Sequence, residues 1–153
     1  MLRKSAILFM ILLLFSLYGC GNSGDTPAQP VNEETSSIQS DYNAALINTY
    51  LESIRDASDD FYGEYYTISP MIAYYNVTVK QVSVNASRNP TAFITFVSEP
   101  FVGPHDTIGT DEITFSADHT GDIELKELKH IKNYDLPEHL KDLLKKPVPE
   151  AGE

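Results

Sequence analysis

Few side chains in this sequence are of the types that do chemistry, and most of them fall in one short stretch. Between Gly103 and Glu112 stand His105, Asp106, Asp111 and Glu112, with Pro104 and Gly109 supplying turn geometry. His130 closes a later alternating segment, and His119 lies in a separate polar turn, Asp118-His119-Thr120-Gly121. Two imidazoles and a carboxylate brought together, His105, His130 and Asp111, could hold Zn²⁺ or a similar divalent ion with one coordination position open. The same groups could make a pH-responsive pair, since a second positive charge nearby lowers an imidazole's hold on its proton. Acid–base catalysis is a third use of perturbed histidines. They could also bond to loop backbone or to Asp111 and simply fix the turn.

Whether these groups meet depends on strand register. Apolar residues on both arms of the hairpin share a face when Phe115 stands opposite Ile123 and Ile113 opposite Leu125. Leu128 breaks that alternation, and one extra residue near Lys126 or Glu127 restores it and sets His130 opposite Gly109. His130 and His105 then lie at one end of the sheet, with Asp111 at the base of the same loop. His119 is in the opposite turn, about 20 Å away at ~3.3 Å per residue, and cannot share their site.

The elements that must position these groups are legible from periodicity. Leu46, Tyr50, Ile54, Ala57 and Phe61 recur at helical spacing, widened by Ile47 and Leu51, and predict a helix capped by Ser40 with Asp41 in its first turn. Asp59 and Asp60 oppose the macrodipole near its end, before Gly63. Beyond Pro70 the chain is β-branched and aromatic. Val77 and Val79 alternate on one parity and Val82 and Val84 on the other, which implies a bulge near Lys80 and Gln81. Thr91–Val97 is apolar on both faces and belongs inside the sheet. Ile113 to Ala117 and Ile123 to Leu125 complete four antiparallel strands. A short closing helix is expected from Asp135, boxed by Glu138, turning Leu136, Leu140, Leu143 and Leu144 inward and stopping at Pro147. The expected fold is α+β: an N-terminal helix on a four-stranded antiparallel meander, an arrangement shared with cystatin-like folds, plus a short C-terminal helix.

Upstream of this domain, Arg3 and Lys4 precede an apolar run from Ala6 to Tyr18 that ends at Gly19 and Cys20, the one cysteine of the chain. The run falls short of the about 20 apolar residues a membrane span needs and has the form of an export signal. Leu17-Tyr18-Gly19-Cys20 resembles the lipobox of bacterial lipoproteins, which implies that Cys20 is lipidated and becomes the mature N-terminus. Two acyl chains, at about 0.8 kcal/mol per buried methylene, hold a protein on a bilayer where one does not. Residues 20–39 read as a flexible tether with a span of about 23 Å, residues 40–146 as one domain, and residues 147–153 as a disordered tail. The chain is therefore expected on the extracytoplasmic face of the cell membrane.

Charge narrows the partners. Removing residues 1–19 leaves nine basic against 22 acidic side chains, a net charge of −13. That balance opposes nucleic acid, whose recognition needs clustered Lys and Arg. With Cys20 occupied by lipid no thiol remains for disulfides, thiolate metal sites or nucleophilic catalysis. Asp118, His119 and Asp122 are explained by turn propensity. Tyr62, Tyr65, Tyr66, Tyr74 and Tyr75 fit either a binding surface or a half-buried core edge. The acidic run Asp56–Asp60 lacks calcium-loop spacing. No nucleophile elbow, phosphate loop, dinucleotide fingerprint or zinc-protease motif is present.

From about Leu46 to Asn133 the chain resembles the domain-of-unknown-function family numbered 3888, found in small secreted and lipid-anchored proteins of Gram-positive bacilli. The resemblance rests on Phe61-Tyr62-Gly63, on Phe101-Val102-Gly103-Pro104-His105 with Gly109 and Ile113-Thr114-Phe115, and on Lys129-His130. Asp106 stands where Asn is expected after the histidine, and the stretch before Gly109 is shorter and lacks an aromatic. The resemblance implies a location and a fold, and no catalytic role. The expected function is that of a non-catalytic binding or accessory module in the envelope, its partner an envelope protein or ligand and its cofactors none. The alternative is a metal-binding protein or metal-dependent hydrolase using His105, Asp111 and His130, with Asp106 beside them.

Overall fold

The helix stripe and the alternating valines fold as their periods require. The computed structural model describes residues 33–150 and the side chains of residues 36–150; the expected export signal and Cys20 lie outside the described residues. Helix α1 spans Glu33–Tyr62. It begins seven residues before Ser40, which is therefore an interior residue and not the N-cap, and the C-terminal part of the expected tether is helical. From Ser36 to Tyr42 the helix is exposed. Beyond that point Ile47, Tyr50, Ile54 and Ala57 are buried, with Leu46 and Leu51 beside them. The amide of Gly63 still bonds to the Asp59 carbonyl at 2.8 Å, so the acidic pair near the terminus does not fray the last turn.

Strands β1 (Val77–Asn85), β2 (Thr91–Ser98), β5 (Gly109–Ala117) and β6 (Ile123–Asn133) form an antiparallel sheet in the order β1-β2-β5-β6. The bulge expected near Lys80 is present: Val79 pairs with Phe96 and Gln81 with Thr95. It carries Val77, Val79, Val82 and Val84 to the face of Ile94 and Phe96 despite the change of parity. Tyr50 packs on Phe96 and Phe115 with ring centroids 5.3 and 5.6 Å apart. Ile54, Phe96 and Ile113 are fully enclosed, each contributing about 1.5–3 kcal/mol through burial of apolar surface.

Two strands were not anticipated. β3 (Phe101–Val102) and β4 (Asp106–Thr107) form a small separate hairpin between β2 and β5. The C-terminal helix is a short 3₁₀ segment, Glu138–Leu143, preceded by Pro137 without a side-chain cap, so Asp135 does not start it. Leu136, Leu140 and Leu143 turn inward as expected, onto a second core of Tyr62, Tyr66, Val102 and Ile108. Leu144 does not; it is exposed. Val148 packs on the same core. Residues 147–150 thus lie against the fold where a disordered tail was expected.

Candidate functional site

The end of the sheet nearest the C-terminus of α1 holds the site. Val77, Ser98, Asp111 and His130 form one row across the four strands, through the pairs Val77–Ser98, Ser98–Asp111 and Asp111–His130. The row faces the helix, and Tyr62, in its last turn, comes down onto the two right-hand members. Tyr62 Oη lies 3.0 and 3.2 Å from the Asp111 carboxylate oxygens, toward which its single proton is directed. His130 Nδ1 lies 2.7 Å from Asp111 Oδ1. His130 Nε2 lies 2.9 Å from Asn133 Oδ1. The Asn133 amide orientation is set independently, because Nδ2 donates to the Pro149 carbonyl at 2.9 Å and toward that of Val148 at 3.5 Å.

That orientation fixes the protons. Asn133 Oδ1 accepts, so Nε2 carries hydrogen, and a further proton lies between Nδ1 and the carboxylate. The Asp111–His130 unit is therefore neutral as a whole, which is the condition under which a carboxylate with 0% exposure and an imidazole with 8% can be buried together. Burial pushes the Asp111 carboxyl up, and hydrogen bonds from His130 and Tyr62 pull back against it. The Tyr62 phenol is driven far above its usual range, first by burial and then by the negative charge of Asp111, and stays a donor. Phe61 completes the enclosure by stacking on the His130 ring at 5.5 Å between centroids.

Two backbone devices make this geometry. Residues three apart in a regular strand point to opposite faces, yet His130 and Asn133 bond to each other. An irregularity between the pairs Asp111–His130 and Thr110–Lys132 leaves Ile131 as an extra residue and reverses the parity. Gly109 pairs with Asn133. A methyl group built on Gly109 would collide with the Tyr62 hydroxyl and come within 2.9 Å of His130 Cε1, so only glycine admits the tyrosine here.

The expected register is corrected by two residues. Phe115 stands opposite Leu125, not Ile123, and His130 opposite Asp111, not Gly109; the extra residue at Lys126 is where it was expected. The cause is the turn. Asp118 accepts from the Thr120 amide and hydroxyl and from the Asp122 amide, which holds Asp118 to Asp122 in the loop and delays pairing until Ala117–Ile123.

Of the residues singled out, Asp111 and His130 are brought together and His105 is not. His105 sits in the β3–β4 turn with φ +81°, its Nδ1 3.3 Å from the Tyr75 hydroxyl and its ring 4.8 Å from that of Phe101. Asp106 is on β4, half-buried and paired with Val102. Among the described residues no group of three His, Cys, Asp or Glu side chains is placed to hold a metal ion. The His105–Asp111–His130 triad therefore does not form. Tyr62 and Asn133 are the members that spacing did not reveal; the helix stripe ended on Phe61, Tyr62 stood only among the tyrosines and in Phe61-Tyr62-Gly63, and nothing in the alternation of β6 pointed at Asn133.

Open space adjoins the network. A cavity of about 540 Å³ is lined by Tyr66, Asn133, Tyr134, Leu136, Leu144 and Val148 among others. A smaller one, about 190 Å³, is bounded by Phe61, Lys129, His130 and Pro149. Residues 147–150 contribute to both.

A helix on an antiparallel meander, closed at one end by a buried Tyr-Asp-His-Asn network, defines this as a small α+β domain. The chain belongs to the family described as protein of unknown function (DUF3888), whose model matches residues 42–132. That span holds Tyr62, His105, Asp106, Asp111 and His130 and ends one residue before Asn133. No curated protein and no solved structure is significantly similar to the chain.

Proposed function

We propose that the chain is an extracytoplasmic protein, anchored by lipid at Cys20, that serves the cell envelope as a non-catalytic binding or accessory module. The reading is carried by one contrast within the fold. Every group of the network that could act as base, acid or nucleophile is already engaged: both Asp111 oxygens, both His130 ring nitrogens, the Tyr62 hydroxyl and both ends of the Asn133 amide. Beside it stands an open cavity whose volume falls in the range of small-ligand sites, ~300–1,000 Å³, with apolar and tyrosine walls and a few polar groups. Such an arrangement stabilises and shapes a pocket, whose charged lining groups are Asp135 and Lys141.

Location and binding are tested separately. Mass spectrometry of the mature chain is expected to find a diacylated Cys20 at the N-terminus, and Cys20→Ser to release the protein from the membrane fraction; an unmodified chain beginning at Met1 would overturn the anchor. For binding, soluble cell-wall fragments are titrated into the labelled protein and amide shifts followed by NMR. Saturable shifts at Tyr66, Tyr134, Leu136 and Leu144 with no change in the fragments support a binding module. Turnover of the fragments, or shifts scattered over the surface, would sink it.

A further inference from the structure

We propose that two copies of this chain associate through β1, edge to edge and antiparallel, with Ser83 on the two-fold axis, making one continuous eight-stranded sheet. The sheet has two edges and they differ in kind. β6 carries Glu124, Lys126, Glu127, Lys129 and Lys132, a density of charge that discourages strand addition. β1 carries a single charge, Lys80, which sits at the bulge and is engaged with Glu112 of β5. Past the bulge, Gln81-Val82-Ser83-Val84-Asn85 is extended, uncharged and exposed, and among the described residues no strand lies beside its outer backbone groups.

The segment is self-complementary. The bulge ends it on one side and the β1–β2 turn on the other, so Gln81 to Asn85 is centred on Ser83. An antiparallel two-fold about Ser83 sets each Val82 against the other copy's Val84, and each Gln81 against the other copy's Asn85. Val82 and Val84 are 50% and 60% exposed although they pair with Ile94 and Ala92 on the core-facing side. Side-by-side pairing covers all four valines on one face, as an isologous interface requires.

Charge makes the β1 edge the least repulsive place for two copies to meet. The chain carries 22 acidic residues and a net charge of −11, so two copies repel over most of their surface. Yet no Asp or Glu occurs between Glu64 and Glu99, a stretch that includes all of β1, β2 and their turn, with Arg88 in the turn. This edge is where two such molecules meet at least electrostatic cost.

Sedimentation equilibrium of the full chain in density-matched detergent tests the pairing. A dimer mass is expected for the wild type and a monomer for the double variant Val82→Lys with Val84→Lys, which places lysine against lysine across the axis. Mixing it with Val82→Glu plus Val84→Glu should restore a dimer that neither variant forms alone. A wild-type chain that stays monomeric at every concentration overturns the proposal and assigns the edge to a different polypeptide; a dimer that survives the lysines also overturns it. Should the lysine variant lose its circular dichroism spectrum, Ser83→Cys decides: a disulfide joining position 83 to position 83 supports the axis, and its absence under an oxidant that converts added glutathione to its disulfide refutes it.

Discussion

Asp111 and His130 are direct partners across β5 and β6, their side chains joined at 2.7 Å from Oδ1 to Nδ1, and both are buried. Cross-strand pairs of opposite charge are ordinarily exposed and contribute little. Enclosure changes the magnitude, because removing one partner strands the other without water. Asp111→Ala is expected to cost about 3–5 kcal/mol, and Tyr62→Phe, which removes a buried donor and keeps the ring, about 1–3 kcal/mol. Urea unfolding of the two single variants and the double variant should give a sum larger than the measured double loss, since both act on one carboxylate.

The direction of the Asp111 shift sets a pH dependence. Its carboxyl holds a proton more tightly in the folded than in the unfolded chain, where the value is near 3.8. Its contribution to stability is therefore complete below that value and is lost as pH rises through the folded one. The stability of the wild type minus that of Asp111→Asn should fall as pH is raised from about 4. A difference that grows with pH would contradict this.

Gly109 is kept by space, not by turn geometry. Gly109→Ala is expected to displace the Tyr62 hydroxyl and open its bond to Asp111, at about 1–3 kcal/mol or more for overpacking. Tyr62→Phe with Gly109→Ala should lose less than the separate losses combined, because the atom that clashes has gone. Thermal unfolding of the three variants measures it.

Asn133 ties the C-terminal segment to the network. Asn133→Ala removes the acceptor of His130 Nε2–H and the donor to the Val148 and Pro149 carbonyls. The Val148 and Glu150 amide resonances should move to random-coil positions while the amides of β2 and β5 keep their protection from hydrogen exchange. Uniform acceleration would mean global unfolding instead of release of this segment.

His105 holds a backbone conformation that disfavours a side chain, at φ +81°, in an exposed turn. His105→Gly relieves that strain, worth roughly 1–2 kcal/mol, against the loss of contacts with Tyr75 and Phe101. The expected outcome is a chain at least as stable as the wild type, whereas His105→Ala, which keeps the strain and loses the contacts, should be less stable. Paired denaturant titrations distinguish them.

Local rules carried the helix, the four-strand order and the bulge at Lys80, because each is written in the alternation of neighbouring side chains. Tyr50, Ile54 and Ala57 cannot face one way except on a helix, and Val79 and Val82 cannot face one way except across a bulge. The start of α1 was less legible: Ser40 has the chemistry of a cap, but the helix begins at Glu33 and runs through residues that are exposed from Ser36 to Tyr42.

The site needed three dimensions. Parity alone cannot distinguish His130 opposite Gly109 from His130 opposite Asp111, since both leave Ile123 and Leu125 on the face of Phe115. The choice was made in the distant turn, where the Asp118 carboxylate holds Asp122 in the loop and shifts the whole strand by two residues. A second irregularity, at Ile131, then turned Asn133 toward His130. What the sequence determined by itself is the set of elements and their order, because those follow from neighbours along the chain. Which imidazole meets which carboxylate, and that His105 stays apart from both, depends on register between strands, and register is set by hydrogen bonds formed only once the strands have come together.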